Sequence, residues 1–209
     1  NVTGRNMVAW CWKAGSPRFP TSGSVLYDGN GDYLSLSSTS DFDFGTGDFT
    51  IECYFRSDSF TGSYYPYLFD FRANGGAESG SPAIYIDGGQ NKISFWVAGA
   101  DRVLSNGAPT RGKWTHFAMV RSSGTTKMYI DGVAQSSTYS DSTDYGDGGR
   151  PLLIGIRRDS GGVINSQSFD GFISNVRIVK GTAVYTSNFT PPTRELEVHP
   201  GPEDDRTIL

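Results

Sequence analysis

Two strand-like segments at opposite ends of the chain constrain its fold more than anything between them. The first is Val25-Leu26-Tyr27-Asp28-Gly29-Asn30-Gly31-Asp32-Tyr33-Leu34-Ser35-Leu36. The second is Phe169-Asp170-Gly171-Phe172-Ile173-Ser174-Asn175-Val176-Arg177-Ile178-Val179-Lys180. Each sets an Asp-Gly beside an apolar run. Strands so far apart pair only where a domain folds back on itself, as two-sheet β proteins do. The pair predicts an all-β fold, an antiparallel β-sandwich closed by its own ends.

The residues between them agree. The chain has 27 Gly, 11 Tyr and 13 Phe but 3 Met, which favours strands and tight turns, and no stretch keeps a helical period. At 209 residues it can bury a full core without disulfide staples. Strand signals recur from Ser24 onward with regular turn punctuation. In Asp48–Arg56, Phe49, Ile51, Cys53 and Phe55 share the core face. Thr50, Glu52, Tyr54 and Arg56 share the other, which is expected to border water or a ligand. Further strands are predicted at 67–71, 83–87, 92–97, 113–121, 126–131, 152–156 and 169–180. Ser122–Thr125 and Asp131-Gly132 are predicted as tight turns.

Residues 1–22 contain a short apolar strand around Trp10 and a breaker-rich link, and read as the end of an upstream module or a docking arm. Residues 23–191 form the sandwich. Residues 192–209, rich in Pro and acidic side chains, read as an extended arm that a partner would order. The chain begins at Asn1 without Met or a signal peptide, as a processed product or a piece of something longer would. Cys11 and Cys53 read as buried small apolar residues rather than a disulfide.

Net charge is −4 with Lys and Arg scattered singly, so no basic stripe exists for nucleic acid. No apolar run approaches the roughly 20 residues of a membrane span.

Several segments, in their order, resemble the laminin-G-like branch of the concanavalin-A-like lectin and glucanase superfamily. They are Tyr27–Leu34, Phe44–Glu52, Lys113–Ala118, Met128–Val133 and Phe169–Ile178. The resemblance implies a concanavalin-A-like jelly roll of two curved sheets. Val8–Gly15 and Gly181–Pro192 are similar to module junctions of tailed-phage virion proteins, especially marine ones. That second resemblance implies display on a virion surface, as part of a tail fibre, spike or capsid decoration. Virion fibres are commonly trimeric, so a homotrimer is raised, although no heptad or triple-strand repeat is present. Glu195–Leu209 matches nothing in either group.

Glucanases of this fold carry two Glu on one strand face, where acid and nucleophile flank the glycosidic bond. Here the five Glu are Glu52, Glu78, Glu195, Glu197 and Glu203. Glu195 and Glu197 lie in the arm, and Glu52 has no carboxylate at positions 50 or 54. His116 reads as a structural strand residue. The chain is not expected to be an enzyme.

Two kinds of ligand remain. Calcium takes six to eight oxygen donors without strict geometry. Asp28 and Asp170 resemble the structural calcium position of several relatives, and Asp141, Asp144 and Asp147 crowd one loop. The plain alternative is turn chemistry for the Asp-Gly pairs. A glycan needs an aromatic platform and planar polar groups. Tyr64, Tyr65, Tyr67 and Trp96 are the candidate aromatics, with Arg72, Asn74, Arg102 and Arg157 as polar groups. The alternative is that the tyrosines cap the rim or meet a neighbouring subunit, and Trp114 reads as core. Asn1-Val2-Thr3 and Asn188-Phe189-Thr190 fit the glycosylation pattern, but matches this short arise by chance and carry little weight.

Two readings compete. One is a virion surface module that contacts host-cell glycan or neighbouring virion subunits. The other is an extracellular bacterial carbohydrate-binding or adhesion module, with a purely structural assembly role behind both.

Overall fold

The computed structural model describes residues 23–37, 40–60, 64–72, 80–146, 151–159, 162–193, 196 and 206–208. Residues 1–22, with Cys11, lie outside the described residues, as do Asn74 and Asp147. The strands in order begin with β1 (Val25–Asp28), β2 (Leu34–Leu36), β3 (Phe49–Ser57), β4 (Tyr67–Asp70) and β5 (Ala83–Asp87). There follow β6 (Lys92–Val97), β7 (Ala100–Leu104), β8 (Thr115–Ser122), β9 (Thr125–Ile130) and β10 (Val133–Ser140). The last are β11 (Leu152–Ile154), β12 (Arg157–Asp159), β13 (Gly162–Ile164), β14 (Asp170–Lys180) and β15 (Arg206–Ile208). Helix is confined to two three-residue 3-10 turns among the described residues. No helix among them is long and apolar enough to cross a membrane.

The strands form a seven-stranded sheet, β1-β14-β3-β8-β9-β10 with β15 added to β14, and a six-stranded sheet, β2-β11-β4-β5-β6-β7. Strands β12 and β13 make a separate hairpin. The opening and closing segments do pair: Val25 faces Ile173, and Asp28 faces Asp170, antiparallel. Pairing of β15 with Ile178–Lys180 places the described end of the C-terminal segment on the same strand. Consecutive strands β1 and β2 join the two sheets along one side. Along the other, the Asn106 carboxamide oxygen accepts from the Ser136 N–H (3.0 Å) and hydroxyl (2.6 Å). That contact ties the loop after β7 to β10, so Asn106 serves the fold.

The core lies between the sheets. Phe49, Ile51, Cys53 and Phe55 of β3 are fully buried against residues that include Ile84, Ile86, Ile93 and Phe95 of the facing sheet. Apolar clustering of this kind is the main stabilising term in such a fold. Trp114 differs from expectation. It is half-buried beside Phe172 at the rim, because Phe117 and Met119 hold the core face of β8 and position 114 falls on the same side as His116.

The Asp-Gly pairs separate into two roles. Asp131 (φ 48°) and Gly132 (φ 77°) make the tight β9–β10 turn, a left-handed pair that fits a two-residue hairpin. Asp170-Gly171 is no turn. Gly171 sits inside β14, paired with Tyr27 on one side and Ser57 on the other. Its φ is +136°, and a Cβ there would lie 2.0 Å from the Arg56 carbonyl oxygen, so only glycine fits.

The polar face of β3 is the main departure. Thr50 and Glu52 are fully buried, not open to water. Residues 181–193 cross the outer face of the seven-stranded sheet as a strap. Val184 N–H donates to the Thr50 hydroxyl (2.9 Å), and that hydroxyl donates to the Thr182 carbonyl (3.0 Å). Phe189 N–H donates to the Gly132 carbonyl (2.9 Å), and the Tyr54 hydroxyl to the Pro192 carbonyl (2.6 Å). Tyr185 and Phe189 stack at 3.6 Å and cover Tyr129 and His116.

Candidate functional site

On the six-stranded sheet the period-2 alternation turns Tyr67, Tyr85, Ser94 and Trp96 outward, opposite Ile84, Phe95 and Val97 in the core. Tyr67 and Tyr85 are cross-strand partners, and their rings stack at 4.9 Å and 20°. Tyr65 meets Tyr85 edge-on at 6.0 Å. Ala83 lies between Asp70 and Trp96 in the ladder, and its small side chain leaves room above it. Arg72 uses that room. Its guanidinium grips Asp70 through Nε (2.8 Å) and Nη2 (2.7 Å) and lies 5.3 Å from the Tyr67 ring and 5.0 Å from Trp96.

At the other end of the row, Asp101 accepts hydrogen bonds from the Tyr85 hydroxyl (2.6 Å) and the Ser94 hydroxyl. Burial, followed by the hydrogen bond to Asp101, pushes the Tyr85 hydroxyl well above the phenol range. Burial opposes the charge on Arg72, but Asp70 outweighs it and keeps the guanidinium ionised. Arg157 donates to Gln167 (3.1 Å), and its charge is felt at Tyr67. Tyr67, Tyr85 and Arg72 are 5%, 8% and 2% exposed, so they are the base of the platform. Tyr65, Trp96 and Asp101 are half-buried and form the surface a ligand would meet.

The structure therefore gathers Tyr65, Tyr67, Arg72, Trp96 and Arg157 on one face, and leaves two of the expected residues elsewhere. Tyr64 points its hydroxyl to the Ser168 carbonyl, beside Asp170. Burial and then Asp170 raise that hydroxyl to about 12. Arg102 lies 5.3 Å from the Tyr139 ring and reaches the Val97 carbonyl (3.3 Å). Asp70, Tyr85, Ser94 and Asp101 were not expected at the site. The alternation Ala83-Ile84-Tyr85 would have found Tyr85, whereas Asp101 is brought in by the β6–β7 register.

Asp28 and Asp170 face one another across β1 and β14, and the Asp58 N–H donates to the Asp170 carbonyl (2.9 Å). Burial, then the charges of Asp58 and Asp28, raise the Asp170 carboxyl above its ordinary range. Asp28 accepts from Asn30 N–H (2.8 Å), the local bond of an Asx turn. Of the two described carboxylates of the next loop, Asp141 and Asp144, only one is open to solvent. Asp141 is buried, and accepts from the Thr126 hydroxyl (2.6 Å), the Tyr145 hydroxyl (2.7 Å) and Thr143 N–H (3.0 Å). Asp144 is exposed. Among the described residues no three His, Cys, Asp or Glu converge closely enough to hold a metal ion, so a calcium ion at Asp28 and Asp170 would need backbone oxygens as well.

Glu52, the only described glutamate, is committed elsewhere. Arg177 Nε donates to it at 2.6 Å and the Tyr185 hydroxyl at 2.9 Å, and His116 Nε2 lies 3.0 Å away. All of this lies beneath the strap. A fully buried carboxylate with three partners cannot reach a glycosidic oxygen.

A family model of the laminin G type, described as the concanavalin A-like lectin/glucanases superfamily, matches residues 28–184. No curated protein matches the chain. Among solved structures, the CBM40 domain of the Ruminococcus gnavus IT-sialidase, bound to α2,3-sialyllactose, is 13% identical with a TM-score of 0.60. The match covers 78% of this chain and 91% of that one. Domain 4 of AbnA, an extracellular arabinanase from Geobacillus stearothermophilus, in complex with arabinotriose, is 17% identical with a TM-score of 0.57. It covers 78% of this chain and 73% of that one. The LG1-3 region of the laminin α2 chain is 18% identical over 75% of this chain and 31% of its own, with a TM-score of 0.55. At these identities the likeness speaks for the jelly-roll β-sandwich. With the family match spanning most of the sandwich, the chain belongs to the concanavalin A-like lectin/glucanases superfamily.

Proposed function

We propose that the chain is a non-catalytic carbohydrate-binding module whose ligand surface is the outer face of the six-stranded sheet around Trp96, Tyr65 and Asp101. The observation that carries this reading is the aromatic platform held from below by the Arg72–Asp70 pair. Rings of this kind accept the C–H face of a sugar, and Asp101 supplies a hydroxyl acceptor beside them. Solved relatives of the same fold in complex with arabinotriose and sialyllactose support the ligand class. The commitment of Glu52 to Arg177, Tyr185 and His116 supports the absence of catalysis.

Display on a phage virion surface, with host glycan or neighbouring subunits as partners and a homotrimer as the assembled form, belongs to this proposal. It rests on the resemblance of residues 8–15 and 181–192. Extracellular adhesion on a bacterial surface is the alternative setting. The deep burial of Tyr67, Tyr85 and Arg72 favours a second reading, in which the platform is only a packing layer.

A glycan array with the purified chain, in calcium and again in EDTA, tests the proposal. Saturable binding that falls about tenfold in Trp96→Ala and Tyr65→Ala, at unchanged melting temperature, is the expected result. Binding that EDTA abolishes would bring Asp28 and Asp170 into the site. No binding in either buffer sinks the glycan reading and leaves the packing layer.

A further inference from the structure

A cavity of about 160 Å³ opens on the outer face of the other, seven-stranded sheet, between the β8–β9 hairpin and the strap. Two cross-strand pairs form its floor, Val120 with Lys127 and Ser122 with Thr125, with Tyr129 beside them. Alternation puts Thr125, Lys127 and Tyr129 on one face of β9, and these three line the cavity. The far wall is Tyr185 and Thr186 of the strap. That wall is held before any ligand arrives. The Tyr185 hydroxyl is bonded to Glu52 at 2.9 Å, and its ring is stacked 3.6 Å from Phe189 at an interplanar angle of 6°.

The lining defines a ligand. Ser122, Ser123, Thr125 and Thr186 bring hydroxyls, Tyr185 brings ring surface, and Lys127 brings the one charge, while Tyr129 is buried beneath the strap. No acidic residue lines the cavity. Its volume is well under the roughly 300 Å³ at which drug-sized pockets begin, so it admits one ring and no oligosaccharide. We propose that this cavity is a second binding site, for a single carboxylated sugar residue such as a uronic acid. The carboxylate meets the Lys127 ammonium, the hydroxyls meet Ser and Thr, and the ring face lies against Tyr185. Hydrogen bonds to a charged group are the strong ones, so Lys127 is the specificity-determining residue. The proposal does not depend on the Trp96 platform, which lies on the opposite sheet.

Titration of the 15N-labelled chain with sodium glucuronate, methyl glucoside and sodium acetate tests it by NMR. Glucuronate is expected to give saturable shifts at Ser122–Lys127 and at Tyr185–Thr186, with a dissociation constant of about a millimolar. The glucoside and acetate should shift these signals far less, because each lacks half of the ligand. Lys127→Gln should weaken glucuronate about tenfold, and Thr186→Trp, which fills the cavity, should abolish the shifts. Trp96→Ala should leave them unchanged, which separates this site from the platform. Equal shifts with glucoside, equal shifts with acetate, indifference to Lys127→Gln, or no shifts with about 10 mM glucuronate would each overturn the assignment.

Discussion

Replacing Glu52 by Gln should destabilise the chain by about 3 kcal/mol, and the reasoning can be followed atom by atom. Glu52 is fully buried, with Arg177 Nη2 and Nε at 2.5 and 2.6 Å from the same carboxylate oxygen. Removing one member of a buried ion pair costs about 3–5 kcal/mol, because the remaining charge stays desolvated and unpaired. Two features place the cost at the low end. Arg177 is 8% exposed, so water reaches part of it, and Gln keeps a carbonyl oxygen for one of the donors. Against a total stability of about 5–15 kcal/mol this is a large fraction. Urea titration should show a lower midpoint with an unchanged slope. Arg177→Met alone should cost a similar amount, since it takes the guanidinium from a buried carboxylate and leaves it only Tyr185 and His116. The double variant Glu52→Gln, Arg177→Met should cost far less than the sum, as neither charge remains. A single-variant cost below about 1 kcal/mol, or strict additivity in the cycle, would refute the account of a buried pair that locks the strap.

Gly132→Ala should cost about 2–4 kcal/mol, since its φ is +77° and the new Cβ would lie 1.9 Å from the Phe189 carbonyl oxygen. Limited proteolysis between residues 181 and 193 should then accelerate, and an unchanged cleavage rate would count against the strap contact. Asp170→Asn should raise the melting temperature at neutral pH. Its folded pKa is raised, so the ionisation penalty is absent below about pH 4, the unfolded value, and complete above the folded value. The gain should therefore vanish in acid, and a gain that persists there would contradict the sign. Millimolar calcium should stabilise the wild type but not Asp28→Asn; no shift in the wild type would remove calcium from this end. Burial, then Glu52, pushes the Cys53 thiol well above its ordinary range. Iodoacetamide should therefore modify Cys53 only after unfolding, as read by peptide mass spectrometry.

The fold was largely legible because its signals are local. Alternation in Phe49–Phe55, the Ser123-Gly124 and Asp131-Gly132 turns, and the outward placement of Trp96 between Phe95 and Val97 all depend on neighbouring residues. The pairing of β1 with β14 was legible for a different reason: each segment sets an Asp-Gly beside an apolar run, and a sandwich that folds back on itself brings its two ends together. Register was less visible. Asp101 reaches Tyr85 only through a bulge between Phe95 and Trp96, and a one-residue slip moves every side chain to the other face. Asp170-Gly171 allowed a turn as the plain alternative in sequence, yet it opens β14, where Gly171 combines a positive φ with close approach to the Arg56 carbonyl.

The two outer faces show why a site is harder to read than a fold. Period-2 alternation says which residues share a face, but not what covers that face. Thr50, Glu52 and Tyr54 look like a solvent-facing row, and the strap that covers them arrives about 130 residues later, as the bonds from Thr50 and Tyr54 to Thr182 and Pro192 record. Once it arrives, the polar face of the seven-stranded sheet becomes a second interior. Glu52, Arg177 and His116 then serve to hold the cover, and among the described residues the gap beside Lys127 stays open. The six-stranded sheet keeps its half-buried aromatics at the surface instead. On the proposed reading a sugar-sized ligand has two chemically different places to go, one aromatic and Asp-lined, the other cationic and hydroxyl-lined. The first should prefer neutral sugar faces and the second a carboxylate. Opposite responses of the two sites to the charge of the ligand are the signature this division of the sandwich requires.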